Sequence, residues 1–258
     1  MKGSSERKGV YVSIPTSVSG ILSTPDNNSI AYTNYIAGHD AAIVIAHGFF
    51  CSKDAVLFKS LNDAIIDKYD TLLFDFRGHG SSSGLFTWTS KEAQDLECVL
   101  KHVSKKYSKI GLIGFSLGAA TSINTLARTN YVKSLIAISA PSDFNKIEFK
   151  LWKVDIENDL VYNYFGDGKI GKGVRPGPFW LEKEKPVNSI KSVRIPVQYI
   201  HGTSDWTISH KHSQILFDNT ISKKRLVIIK NGPHAEFLIR KKYDDTIFAI
   251  RSWFRETL

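Results

Sequence analysis

The chain has 258 residues, 42% of them hydrophobic, and 34 basic against 25 acidic side chains give it a net charge of +9. That length and apolar content suit a single domain with one sizeable core. No apolar stretch approaches the roughly 20 residues that span a membrane, and the basic residues are scattered rather than gathered into a stripe interleaved with aromatics, so neither a membrane nor a nucleic acid is expected as a partner.

The opening residues, "MKGSSERKGVYVSIPTS", carry charge with no hydrophobic region behind them, so no secretory signal is expected. The two cysteines, Cys51 and Cys98, form neither a disulfide framework nor a metal-ligand spacing. A reducing, cytoplasmic setting is expected. Through residue 36 the segments "VYVSI", "GILST" and "SIAYTNYI" alternate loosely around the turn signal "TPDNN". This reads as a short antiparallel meander.

From residue 41 the rhythm changes to continuous apolar runs: "AIVIA" (42–46), "TLLFDF" (71–76), "IGLIGF" (110–115), "SLIAIS" (134–139), "VQYI" (197–200) and "LVIIK" (226–230). Such runs fit strands buried on both faces of a parallel sheet. Helical segments alternate with them. Residues 54–68 put Leu57, Phe58, Leu61 and Ile65 on one face, and residues 90–106 do the same with Ala93, Leu96, Leu100 and Val103. "TSKE" (Thr89 to Glu92) reads as a capping box for the second of these. A small-residue run follows Ser116, and a final helix turns Ile247, Ile250 and Phe254 inward. Strands alternating with helices predict an α/β fold with a mostly parallel, doubly wound sheet.

Residues 141–190 interrupt this alternation with a connection far longer than the usual two to six residues. The segment is rich in aromatics, among them Phe144, Phe149, Trp152, Tyr162, Phe165, Phe179 and Trp180, and its "GDGKIGKGVRPGPFW" is dense in glycine and proline. It reads as a small cap over the C-terminal edge of the sheet, where open α/β sheets bind ligands. Trp152 and Trp180, with Trp206 from a later loop, are expected to line an apolar pocket, and Arg175 and the lysines around it to stand at the rim.

The chemistry centres on "GFSLG", where Ser116 falls between a predicted strand and a predicted helix with Gly114 and Gly118 on either side. A serine on such a turn takes a strained conformation that requires slender neighbours. Its hydroxyl also needs a base, and the base an orienting acid. "YIHGTSDWTI" offers Asp205 just past one strand, and "LVIIKNGPHAEF" offers His234 just past the next. Asp143, in "SAPSDF", is the rival acid, and His201 the rival base. His39, His102, His210 and His212 read as surface residues. His47 reads as structural, and Cys51 as buried lining. Asp75, Arg77 and His79 in "DFRGHGSSSG" read as a structural turn, and Ser81, Ser82 and Ser83 lack the elbow.

Taken in order, "HGFF", "DFRGHGSSSG", "GFSLGA", "HGTSDWTI" and "GPHAEF" resemble the α/β-hydrolase superfamily, over residues 40 to 258. Within it the chain resembles small serine esterases of the cinnamoyl/feruloyl esterase and serine aminopeptidase-like type. The resemblance implies Ser116 as nucleophile, Asp205 as acid, His234 as base, and the amides of Phe49 and Leu117 as oxyanion donors. The expected activity is hydrolysis of a small-molecule carboxylic ester, with a thioesterase, peptidase or acyltransferase using the same triad, or a non-catalytic ligand-binding protein of this fold, as the alternatives; no metal or organic cofactor is implied. The segment at 141–190 departs from any pattern that would name that substrate.

Overall fold

Strand β3 (Ala41–Ala46) shows how the core is divided: all six of its residues are buried in the computed structural model, which describes residues 15–149, 154, 156 and 161–258. Ala42, Val44 and Ala46 enter one apolar cluster, while Ile43 and Ile45 enter another across the sheet. Side chains alternate along a strand, so a run that is apolar at every position feeds two cores at once.

Seven further strands complete one sheet: β1 (Thr16–Ser23), β2 (Ser29–Ile36), β4 (Asp70–Phe74), β5 (Lys109–Phe115), β6 (Ser134–Ile138), β7 (Val197–Gly202) and β8 (Lys224–Ile229). Their order is β1-β2-β4-β3-β5-β6-β7-β8. Strands β3 to β8 run parallel, and β1 and β2 join the end of the sheet as an antiparallel pair. The expected strand at "VYVSI" lies outside the described residues. β8 corrects the expectation of burial on both faces. As an edge strand it is mostly half-buried, and Ile228 is 41% exposed.

Helices cover both faces. α2 (Glu92–Val103), α3 (Leu117–Leu126) and α6 (Lys211–Asn219) supply Leu96, Ile123 and Leu216 to the first cluster. α1 (Val56–Ile65) and α8 (Tyr243–Thr257) supply Phe58, Leu61, Trp253 and Phe254 to the second. Short helices α4 (Tyr162–Phe165) and α5 (Pro186–Ser189) fall in the long connection, and α7 (Phe237–Lys241) precedes α8. Among the described residues no helix is long and apolar enough to cross a membrane.

Two helix details differ from the sequence reading. On α1 the buried face is Phe58, Leu61, Asn62 and Ile65, with Leu57 only half-buried. Asn62 is accommodated because its Oδ1 accepts the hydroxyl of Thr71. On α2 the expected capping box does not form: the N-cap position is Lys91, which has no side-chain cap, and the buried Thr89 hydroxyl has no hydrogen-bond partner among the described residues. Glu92 instead accepts from the Thr87 amide at 2.6 Å, and Thr87 Oγ1 accepts from the Lys91 amide at 3.0 Å, which ties the preceding turn to the start of the helix.

The chain steps from β3 outward to β4, then crosses back to β5 on the other side of β3. The loops leaving β3 and β5 therefore diverge from adjacent strand ends, where Ala46 is paired with Gly114. An open α/β sheet forms its ligand crevice at such a switch point. The long connection after β6 reaches the same edge. Its Gly173 amide donates to Phe50 O at 3.4 Å, and its Arg175 amide to Gly78 O at 2.7 Å.

Candidate active site

Ser116 is held on a sharp turn between β5 and α3, at φ 52° and ψ −116°. A left-handed conformation at a residue with a side chain costs of order 1–3 kcal/mol, so the surroundings must enforce it. The Ser116 amide donates to Ile138 O at 2.8 Å, and its carbonyl accepts from Ala119 and Ala120 at 3.0 and 3.1 Å. The flanking glycines are a matter of space. A Cβ at Gly118 would run into the carbonyl oxygens of Ala46 and His47, and one at Gly114 would come within 2.6 Å of Ala119 Cα. α3 can thus start directly behind β3.

The other two expected residues meet Ser116 there. His234 Nε2 lies 3.0 Å from Ser116 Oγ, and His234 Nδ1 lies 2.7 Å from Asp205 Oδ2. Two backbone contacts bring their loops together. Gly202 packs against Gly232 so closely that any Cβ would strike its carbonyl, and the Ser204 amide donates to Gly232 O at 2.9 Å. The His234 turn is pinned by the Ala235 amide, which donates to Ser139 Oγ at 3.0 Å.

Asp205 is buried and surrounded by donors. Its Oδ1 accepts from the amides of Thr207 (3.0 Å) and Ile208 (2.8 Å), and its Oδ2 faces both His234 and His201 Nε2, the latter at 3.1 Å. Burial by itself would push the carboxyl up. The His234 imidazole and the hydrogen bond from His201 outweigh it and hold the group well below the usual carboxylate range. An ionised carboxylate only accepts, so His234 Nδ1 carries a proton and, in the neutral ring, Nε2 is left to accept from the serine hydroxyl.

A cavity of about 600 Å³ opens over Ser116. Its walls are largely aromatic: Phe49, Phe50, Trp88, Phe144, Trp206 and Phe237. Phe49 and Leu117 both line it, and among the described residues neither amide donates to an acceptor. Gly48 lets the β3 loop approach, since a Cβ there would lie 3.2 Å from that of Ser116.

The remaining candidates separate clearly. Asp143 caps the turn at 144–146 through the Asn145 amide (3.0 Å) and pairs with Lys185 at 3.1 Å, away from His234. His47 is a buried staple whose Nδ1 donates to Gly48 O (2.7 Å) and whose Nε2 accepts from the Phe76 amide (3.0 Å). Burial pulls its pKa down to about 4, so the ring is neutral. Asp75 accepts from the amides of Lys53 (2.7 Å) and Ser81 (2.9 Å), and Arg77 bridges Asp95 and Asp26, so this turn is structural. Cys51 is buried, and burial pushes its thiol up to about 12. His212, expected at the surface, is buried and bonded to Ser142 at 2.8 Å.

The pocket expectations are corrected in part. Trp206 lines the cavity, with its ring 6.5 Å from that of Phe149. Trp180 does not: it is 74% exposed and packs edge-on against Phe179. Trp152 lies outside the described residues. Arg175 is not at the rim, because its guanidinium reaches back to the carbonyls of Gly80 and Ser82. Lys172 is half-buried in the cavity wall, 3.0 Å from Glu236 Oε1 and 3.7 Å from Cys51 Sγ. Nothing local in "GKIGKG" marks that pairing, although Glu236, two residues past His234, carries a hint of it. Among the described residues no cluster of three or more His, Cys, Asp or Glu side chains is arranged to hold a metal.

Comparison with known proteins agrees with this architecture. A family model for the alpha/beta hydrolase fold matches residues 41–155. The uncharacterized protein YfhR of Escherichia coli K12 is 26% identical over 174 residues, covering 65% of this chain and 54% of that protein. The chain thus spans about half the length of the curated relatives it matches. The Pyrococcus furiosus esterase Pf2001 superposes with a TM-score of 0.77 at 21% identity, over 94% of this chain and 93% of the esterase. A bromoperoxidase from Bacillus anthracis superposes with a TM-score of 0.73 at 18% identity, over 92% and 100%. Neighbours named for different activities share the scaffold, so it is the scaffold that the likeness establishes: the chain has the α/β-hydrolase fold.

Proposed function

We propose that the chain is a serine hydrolase that cleaves carboxylic esters through an acyl-enzyme intermediate. One observation carries this reading: the continuous contact from Asp205 through His234 to Ser116, at 2.7 and 3.0 Å. Ser116 Oγ attacks the acyl carbon while His234 Nε2 takes its proton, and the same nitrogen then protonates the departing alcohol. Asp205 keeps the ring in the required tautomer and stabilises the imidazolium. The amides of Phe49 and Leu117, at the cavity and the start of α3, receive the oxyanion. Water, activated by His234, then releases the acid.

The aromatic walls of the cavity suit a small ester with an apolar acyl or aryl group. The described part of residues 141–190 acts as a cap, from which Phe144, Ile147, Phe149, Lys172 and Lys183 reach the cavity. No metal or organic cofactor enters this chemistry. Both cysteines are free thiols, in keeping with a cytoplasmic protein.

Labelling with a fluorescent serine-directed phosphonate, beside a panel of esters, thioesters and aminoacyl amides, tests the reading. Wild type is expected to label and to turn over esters fastest. The Ser116→Ala variant should keep the fold, lose the label, and fall in kcat by roughly 10⁴- to 10⁶-fold. Full esterase activity in that variant overturns the assignment, and faster turnover of thioesters or amides moves the substrate class.

A further inference from the structure

His201, the penultimate residue of β7, is fully buried and touches the acid of the proposed triad. Its Nε2 lies 2.9 Å from Ile208 O and 3.1 Å from Asp205 Oδ2. Both oxygens only accept, so Nε2 must carry a hydrogen. Its Nδ1 lies 2.7 Å from Ser213 Oγ on α6. In the neutral ring Nδ1 therefore accepts from the Ser213 hydroxyl. We infer that His201, set by Ser213, is a positioning residue that fixes the Asp205 carboxylate and restrains its basicity toward His234.

The geometry gives the inference its content. Oδ1 of Asp205 is fixed by two backbone amides on its own loop, which any residue of that turn would supply. Oδ2 is the oxygen that His234 uses, and among the described residues its other donor is His201. A hydrogen bond to a carboxylate stabilises the charged form and makes it a weaker base. Without the His201 donor, Asp205 turns more freely and attracts the His234 proton more strongly. The titratable groups around His201 are Asp205 on the loop after β7, with His234 across that carboxylate from the loop after β8, and His212 on α6. His212 is occupied with Ser142, at 3.1 Å from its amide and 2.8 Å from its hydroxyl.

The inference rests on the proposed triad, and its test reads His234 directly as well as turnover. His201→Phe removes the donor, His201→Gln offers an amide N–H in its place, and Ser213→Ala removes the group that sets the tautomer. In His201→Phe the titration midpoint of His234, followed by NMR of the imidazole, should rise by about 0.5–1 pH unit. The acid limb of the kcat/KM profile should move with it. For a chromogenic ester kcat should drop roughly 10- to 100-fold with little change in KM. Gln should restore both readouts to within about threefold and about 0.2 unit of wild type, and Ser213→Ala should shift the midpoint upward by less than Phe does. If Phe and Gln lose activity alike with the His234 midpoint unmoved, His201 serves packing only and the inference fails. If Phe does not fold, an unmoved midpoint in Ser213→Ala overturns it equally. An NMR shift without ester turnover in wild type leaves His201 in place and removes the ester reading instead.

Discussion

His234 Nε2 stands 3.0 Å from Ser116 Oγ, a contact between residues 118 positions apart in the chain. Neither side chain reaches far to make it. Both sit on loops that leave the same edge of the sheet, and between them β6 and β7 fix the spacing. The contact follows from strand order, and the chemistry inherits its precision from the most deeply buried part of the molecule.

The acid can be tested apart from the base. In Asp205→Asn the side-chain amide cannot serve His234 Nδ1–H with the same charge and favours the wrong tautomer, so kcat should fall by about 10⁴-fold while the fold persists. Asp143→Asn should change kcat by less than about threefold, because Asp143 only caps a turn and pairs with Lys185. Steady-state kinetics on one ester decides between them. A reversed ranking would place the acid on the loop after β6.

Space behind the elbow gives a second expectation. Gly118→Ala brings a Cβ against the carbonyls of Ala46 and His47, which are backbone and cannot rotate away. The start of α3 must then lift from β3, at a cost of about 1–3 kcal/mol. Because Leu117 lies on that turn, kcat should fall by more than the stability change explains, with phosphonate labelling slowed in parallel. Urea denaturation beside labelling rates measures both. Unchanged values would mean the turn has room that the packing denies.

The strands and the three residues of the proposed triad were legible because each apolar run ends within a few residues of a chemically distinctive motif. "GFSLG", Asp205 and His234 all stand just past such runs. What was not legible depends on which way a side chain turns where no periodicity governs it. Trp180 and Phe149 look alike in the sequence, yet Phe149 reaches the cavity and Trp180 does not. Lys172 and Arg175 lie three residues apart, and one enters the wall while the other staples the turn at 80–82. The capping box expected at Thr89 is absent, since Glu92 accepts the amide of Thr87 instead. Partners remote in the chain placed Phe149, Lys172 and Arg175, whereas Trp180 and Glu92 met near neighbours, Phe179 and Thr87.

The Lys172–Glu236 pair makes a pH-dependent prediction. Burial opposes both charges, but each partner more than offsets it for the other, so Glu236 is held below its ordinary range and Lys172 is raised above its own. Glu236 therefore contributes stability above its unfolded-state pKa of about 4.3, lost as pH falls through the lower folded value. Lys172 contributes below its unfolded-state value of about 10.4, lost as pH rises through the higher folded value. At pH 7, Lys172→Met should cost about 3–5 kcal/mol by stranding the buried Glu236 charge, and Glu236→Gln should cost less because Lys172 is only half-buried, whereas Lys172→Met with Glu236→Leu should be nearly neutral. Chemical denaturation at pH 4, 7 and 10.5 reads this. A double variant as unstable as either single one would show that the pair is not what the wall requires.

Substrate selection should separate the two tryptophans. Trp206 lines the cavity beside Phe149, so Trp206→Ala opens the wall where an acyl or aryl group would lie. It should change kcat/KM unequally across short, long and aromatic esters, with the bulkier substrates losing most of the apolar contact they gain on binding. Each methylene lost from contact corresponds to about 0.8 kcal/mol, close to fourfold, so a reordering of the series is within reach of ordinary kinetics. Trp180 is 74% exposed and touches Phe179 rather than the cavity. Trp180→Ala should keep the wild-type order and alter stability by no more than about 0.5 kcal/mol. If instead Trp180→Ala reorders the substrates and Trp206→Ala does not, selection is made outside the cavity over Ser116, on the outer surface of the 141–190 segment.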